Sequence, residues 1–139
     1  MRIGKVTLRE LGMKLIAPFE ISSGVSYERR ILLVEADVDG VAGWGECVAG
    51  ETPQYSPETV ETAWHMLRDH LWPLIKDEVF GTAAELSDML EPVRGHNMAK
   101  GGLEAAAWDA EAKHKGIPLW KLIGGTREEI ADRRGRPRG

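Results

Sequence analysis

Strand-like alternation comes first along the chain and helical periodicity after it. Lys5-Val6-Thr7-Leu8-Arg9 alternates polar with apolar, which puts Val6 and Leu8 on the inner face of a strand. Met13 and Leu15 read as a bent continuation beyond Gly12. Residues 17–27 hold Pro18, Gly24 and three serines and read as a loop, yet they carry Phe19. An aromatic in a loop is either folded back on the core or presented to a ligand. Ile31 to Val38 is the clearest strand: Leu32, Val34, Ala36 and Val38 share one face, Glu35 and Asp37 the other. Asp39-Gly40 signals a hairpin turn. Val41 to Cys47 then returns as the partner strand, with Gly43 and Gly45 astride Trp44, a sign of a bulge or of close backbone packing. A three-stranded antiparallel meander is expected.

The period then lengthens. Residues 48–55 form a second loop containing Pro53 and Tyr55. Ser56-Pro57-Glu58 reads as a helix start, with Ser56 as N-cap, and Val60, Trp64, Leu67, Leu71 and Leu74 mark the buried stripe as far as Pro73, which ends or kinks the helix. His65 and His70 are five apart, about 140° around a regular helix, so they are not expected to converge on a metal. Thr82-Ala83-Ala84-Glu85 is a capping box ahead of Leu86, Met89 and Leu90, closed by Pro92. The best helix follows. Asn97 is its expected N-cap, Gly116 its left-handed end, and Asp109–Lys113 and Glu111–Lys115 are i,i+4 pairs. Its alanines, interrupted by Trp108, suit close packing against a neighbour. Residues 118–123 add a turn of helix, stopped by Gly124-Gly125. Strands followed by helices predict an α+β fold, with helices packed on an antiparallel sheet.

Composition narrows the function. The 139 residues make one domain's worth of chain, 42% apolar and 29% charged. A net charge of −4 gives no general nucleic-acid or anionic-membrane binder. No apolar run reaches the length of a membrane span and the N-terminus lacks a signal-peptide core, so a cytoplasmic location is expected. Cys47, the single cysteine, cannot form an internal disulfide, and Glu46 beside it supplies no positioned base.

Several segments, in order, carry a resemblance: Pro18-Phe19 with Ser22-Ser23-Gly24; Gly43-Trp44-Gly45-Glu46-Cys47; Pro53-Gln54-Tyr55-Ser56-Pro57-Glu58-Thr59; Gly95-His96-Asn97-Met98-Ala99-Lys100; and Trp108-Asp109 through Gly116-Ile117-Pro118-Leu119 to Gly124-Gly125-Thr126. Together they resemble the N-terminal capping domain of the enolase superfamily. Within its muconate lactonising subgroup they are most similar to the o-succinylbenzoate synthase / N-acylamino acid racemase branch. The resemblance implies a capping domain of three strands and a helical bundle over residues 1–130, sitting on a modified (β/α) barrel. In the full-length family the barrel supplies three acidic Mg²⁺ ligands and two lysines that move a proton alpha to a carboxylate. The outcome is dehydration on the menaquinone route or inversion at an alpha carbon. The capping domain contributes two loops, here about residues 17–27 and 48–56. Phe19, Ser22, Ser23, Gly24 and Tyr55 are therefore the expected substrate-binding residues. Their apolar rings and small polar groups suit shaping a pocket and excluding water.

A (β/α) barrel needs roughly 200 residues or more, which this sequence does not hold. No catalytic residue and no metal ligand is therefore assigned, and Lys100, Asp109, Glu111, Glu46 and His96 are not drafted as substitutes. The expected partners are the missing barrel and, in the full-length form, a small carboxylate substrate; nucleic acid and membrane are not expected, and homo-oligomerisation is left open. Residues 131–139, rich in Arg, Gly and Pro, are expected to be a disordered basic tail. One reading is the fragment of an interrupted longer gene, inactive alone. The other is a free-standing, non-catalytic binding or dimerisation module with the same fold.

Overall fold

A computed structural model describes residues 1–21 and 24–129. Strand β1 (Ile3–Ile21) pairs antiparallel with β2 (Gly24–Val38), and β2 with β3 (Val41–Cys47), in the order β1-β2-β3. Helix α1 (Val60–Met66) runs through a wider π-turn over Leu67–Leu71 into α2 (Trp72–Ile75). Then come α3 (Ala83–Leu90), α4 (Asn97–Lys115) and α5 (Leu119–Leu122). The α+β order expected from the sequence is the order observed.

The alternation in β2 sets the core. Leu32, Val34, Ala36 and Val38 are fully buried, and the larger of these each contribute about 1.5–3 kcal/mol by leaving water. Asp39 and Gly40 both take positive φ, 47° and 83°, as a tight two-residue hairpin requires. The Asp37 carboxylate fixes the turn by accepting from the Gly40 N–H at 2.8 Å.

Helix α4 lies on this buried face at backbone contact. A Cβ on Gly43 would stand 1.9 Å from the Ala106 carbonyl oxygen, and one on Gly45 2.0 Å from that of Gly102. From the helix side, a Cβ on Gly102 would meet Cys47 at 3.1 Å. The two glycines around Trp44 thus mark close packing; the ladder from Leu32↔Cys47 to Val38↔Val41 carries no bulge. Ala99, Ala106, Ala107 and Ala110 complete the helix's buried face. Asp109 reaches back to accept from the Trp44 N–H at 2.8 Å and pairs with Lys113 at 2.7 Å. Glu111 pairs with Lys115. Gly116 ends the helix at φ 63°, with the Ile117 N–H donating to the Ala112 carbonyl in a Schellman closure.

Both long-helix starts differ from expectation. Asn97 is the first residue of α4, not its N-cap; the cap position belongs to His96, in the left-handed region at φ 52°, and its side chain caps nothing. The free N–H groups are taken from a distance by the Glu58 carboxylate, 2.9 Å from the Met98 nitrogen and 3.1 Å from that of Ala99. A carboxylate at the positive end of the helix dipole outcompetes a neutral amide. With Glu58 so engaged, α1 starts later than Ser56-Pro57 suggests. Thr59 is its N-cap, in a reciprocal box with Thr62. At α3 the Thr82 hydroxyl accepts from the Glu85 N–H as expected, but the Glu85 carboxylate takes the Gly81 N–H at 2.7 Å, one residue earlier than a regular box.

The stripe of α1–α2 also shifts: Val60, Ala63, Leu67, Leu71 and Ile75 are buried, while Leu74 is exposed and Trp64 only half-buried. Four-residue steps drift about 40° per step on a regular helix. The wide turn over Leu67–Leu71 takes up that drift, directly before Pro73, whose ring displaces the i→i−4 bond. The same turn brings His65 and His70 closer than a regular helix would, though both stay solvent-facing as expected. Five residues apart on a π-turn are neighbours, and their rings meet edge to face at 5.1 Å, on the exposed side.

The largest correction concerns residues 17–27. β1 runs on to Ile21 and β2 begins at Gly24, so the described part of this stretch is paired strand rather than loop. Pairing passes from Lys14↔Glu28 to Phe19↔Ser26, leaving Leu15–Pro18 opposite Tyr27 alone. Pro18 has no N–H for the ladder, and the chain answers with a bulge instead of ending the strand. Residues 131–139, the expected tail, lie outside the described residues.

Gly43→Ala and Gly45→Ala are each expected to destabilise the chain by roughly 3 kcal/mol or more, because a backbone carbonyl fills the space the new methyl needs. Gly12→Ala, with nothing within 4 Å of its Cβ position, should stay within about 0.5 kcal/mol. Urea unfolding of the three variants makes the comparison.

Candidate substrate-facing arm and loop

Beyond Glu10 and Arg30 the β1–β2 ribbon leaves the helices behind. From Leu11 to Glu20 and from Gly24 to Arg29 every residue is exposed except half-buried Leu15. A bare two-stranded ribbon is marginal by itself. This one is also apolar: Ile16 is fully exposed, and Phe19 and Tyr27 are 61% and 66% exposed. Apolar surface gathered in one place on an otherwise ordinary chain marks a place of contact.

The sequence-derived site residues fall on two segments. Phe19 sits on the distal ribbon opposite Ser26, and Gly24 opens β2 opposite Ile21. Ser22 and Ser23 lie outside the described residues. Tyr55 stands 93% exposed on the loop between β3 and α1. No hydrogen bond joins Tyr55 to the ribbon tip among the described residues. The roots of the two segments are joined instead. The Arg30 N–H donates to Glu51 of the loop at 3.3 Å, and its guanidinium bridges Glu10 of β1 at 2.8 Å and Glu61 of α1 at 2.5 Å. Those two hydrogen bonds raise the Arg30 pKa further, and the guanidinium in turn holds the Glu61 carboxyl below its ordinary value. The loop is closed at its own base, where the Val60 N–H donates to the Gly50 carbonyl at 2.9 Å. Glu58 ends the loop, so the cap of α4 also anchors the segment that carries Tyr55.

A shallow cleft of about 250 Å³ lies between the ribbon root and α1, lined by Glu10, Arg30, Glu61, Trp64, His65 and Arg68, with Val60 at its floor. Its cations are engaged: Arg30 as above, and Arg68 with Asp69, whose carboxyl it holds down at about 2 with help from His65. Of the residues withheld from catalysis, all but His96 have structural employment. Glu46 pairs with Arg29 and Lys100 donates to the Val93 carbonyl. Glu111 accepts from the Ala83 N–H at 2.6 Å, closing the start of α3. His96 Nδ1 is buried without a hydrogen-bond partner. Burial pushes the Cys47 thiol up and keeps it protonated. Among the described residues no group of three or more His, Cys, Asp or Glu could hold a metal, and no helix is long and apolar enough to cross a membrane. This surface can shape a pocket and exclude water.

Sequence reasoning missed Tyr27 and Ile16 as exposed apolar residues on the same ribbon as Phe19, because Pro18 and the serines masked the strand period. It took Glu58 for a first-turn acid of its own helix. A buried cap in another element leaves no trace in local spacing.

The chain matches the family described as mandelate racemase / muconate lactonizing enzyme, N-terminal domain, over residues 3–124. It is 47% identical to the o-succinylbenzoate synthase of Geobacillus kaustophilus over 131 residues, 94% of this chain and 35% of that one. It is 38% identical to the N-succinylamino acid racemase of an Amycolatopsis species, again over 94% of this chain and 35% of the relative. Its fold superposes on the crystal structure of an enolase-superfamily member from Listeria innocua with a TM-score of 0.88 at 32% identity, covering 94% of this chain and 36% of that one. The chain thus spans about a third of the length of these relatives.

Glu58→Ala should lower stability by about 1–3 kcal/mol, since it uncaps α4 and leaves buried N–H groups unpaired. Limited proteolysis should also cut the 51–58 loop faster. Glu58→Gln, which keeps one acceptor, should lose less. Unchanged unfolding in both variants would contradict the shared anchor.

Proposed function

The chain belongs to the mandelate racemase / muconate lactonizing enzyme N-terminal domain family, and from that premise we propose that it is the capping, substrate-specificity part of an o-succinylbenzoate synthase or N-acylamino acid racemase. The observation that carries the reading is the pair of exposed segments, the ribbon end with Phe19 and the loop with Tyr55, held to one another at their roots through Arg30. Residues 1–130 form the capping unit in this reading, followed by a basic tail. The partner is a (β/α) barrel, and the substrate is a small carboxylate held between barrel and cap in the cytoplasm.

The division of labour follows from chemistry. Deprotonation beside a carboxylate needs a cation to stabilise the enediolate and a base to take the proton. In this reading the Mg²⁺ ligands and the lysines of the reaction are the barrel's, as the family resemblance implies; among the described residues no group of three or more His, Cys, Asp or Glu gathers. Phe19 and Tyr55 close over the substrate and exclude water; Gly24, Ser22 and Ser23 add small and polar groups to the same pocket. The cap alone is inactive.

Residues 1–124 fused to the barrel of an o-succinylbenzoate synthase, in place of its own cap, should restore synthase or racemase activity that the barrel alone lacks. Phe19→Ala and Tyr55→Ala in that fusion should each cut kcat/KM roughly tenfold, mainly through KM. A folded fusion without activity, or two variants with unchanged kcat/KM, would overturn the proposal.

A further inference from the structure

The exposed side of α1 and of the turn after it carries a cluster that neither the ribbon nor the Tyr55 loop uses. His65 stands near the end of α1 and His70 inside the π-turn over Leu67–Leu71, both exposed. On a regular helix five residues separate two side chains by about 140°, too far round for one ion to touch both. A π-turn takes up one residue more, so i and i+5 come to lie one above the other, as i and i+4 do on an α-helix. Two histidines at i,i+4 on one helix face are the spacing that holds a zinc ion in helical metal sites.

The ring separation agrees. Two imidazoles sharing a tetrahedral ion through bonds of roughly 2.0–2.1 Å have centroids about 5 Å apart. Those of His65 and His70 stand 5.1 Å apart, edge to face. The χ2 torsion of an exposed histidine is broad and soft, so aiming both nitrogens at one point asks for a ring rotation and no backbone movement. His65 is also prepared for the task. Its Nδ1 lies 2.7 Å from Asp69 Oδ2. An ionised carboxylate only accepts, so Nδ1 carries the proton and Nε2 keeps its lone pair. A carboxylate behind a histidine orients the ring and makes it a stronger ligand. Asp69 itself is taken, its two oxygens accepting from Arg68 at 2.7 and 2.6 Å.

We infer that His65 Nε2 and a ring nitrogen of His70 form a two-point surface site for a divalent transition metal, with water completing the coordination. Imidazole donors suit Zn²⁺, Ni²⁺ and Cu²⁺, whereas Mg²⁺ prefers carboxylate and water. The site is therefore separate from the Mg²⁺ proposed for the barrel, and it needs neither barrel nor substrate. An ion bridging the two rings ties α1 to the π-turn and stabilises the folded chain.

Zn²⁺ alone, titrated from micromolar to millimolar into the untagged 139-residue chain, tests the site by calorimetry and by the imidazole nitrogen resonances. Zn²⁺ should shift the ring nitrogens of His65 and His70 and leave those of His96 and His114 in place, since His114 is engaged with the Val38 carbonyl and His96 Nδ1 is buried. Cu²⁺ should bind more tightly than Zn²⁺, and Mg²⁺ should shift neither ring. His65→Ala and His70→Ala, at exposed positions where folding should be intact, should each weaken Zn²⁺ binding roughly tenfold or more, and Asp69→Asn by a smaller factor. His65 and His70 resonances that ignore millimolar Zn²⁺ would overturn the inference. So would Zn²⁺ binding that both alanine variants leave unchanged.

Discussion

Everything in this chain depends on how closely α4 approaches β3. Gly43, Gly45 and Gly102 let a helix carbonyl stand where a side chain would otherwise be, with the alanines of α4 filling the remaining space. Interiors pack at crystal-like density, so such a contact has little slack. It fixes the helix against the sheet, and two polar ties lock the register: Asp109 to the Trp44 N–H and Lys113 to the Ala42 carbonyl. Glu111 and Glu58 then use the same helix as a post, the first closing α3 and the second closing the Tyr55 loop.

A rigid half carries a projecting half. Where β1 and β2 pass beyond Arg30, no helix among the described residues covers them, and their apolar side chains stay exposed. That arrangement costs stability in isolation and makes sense for a surface that works against a companion. The Arg30 bridge to Glu10 and Glu61 holds the ribbon at its root without covering its end. It is a half-exposed ion network, so its contribution to overall stability is modest; its value is in direction, since it fixes the angle at which ribbon and loop leave the body.

Much of this was legible in the residues. Alternation in Ile31 to Val38, the Asp39-Gly40 turn, the glycines around Trp44 and the Gly116 stop all act through local chemistry, and each appears where the sequence put it. The misreadings share one cause: a tertiary partner overruled a local signal. Pro18 and its serines look like a loop until pairing with β2 carries the strand past them. Asn97 and Ser56 are good caps by composition, but Glu58 caps α4 from elsewhere and displaces both. The His65–His70 contact needs a π-turn that Pro73 favours but spacing alone does not announce. At the candidate site, Phe19 and Tyr55 were named through family resemblance, and both side chains stand exposed. Tyr27 was not, because its role depends on the ribbon being a ribbon.

Native-state hydrogen exchange on the unaltered chain tests the central claim most directly. Amides of β3, of α4 and of the Leu32–Val38 part of β2 should exchange together, only through global unfolding. Those of residues 15–28 and 51–57 should exchange far faster, through local opening. Uniform protection from the ribbon end to α4 would contradict the division into a rigid body and a projecting surface. So would α4 exchanging ahead of the sheet.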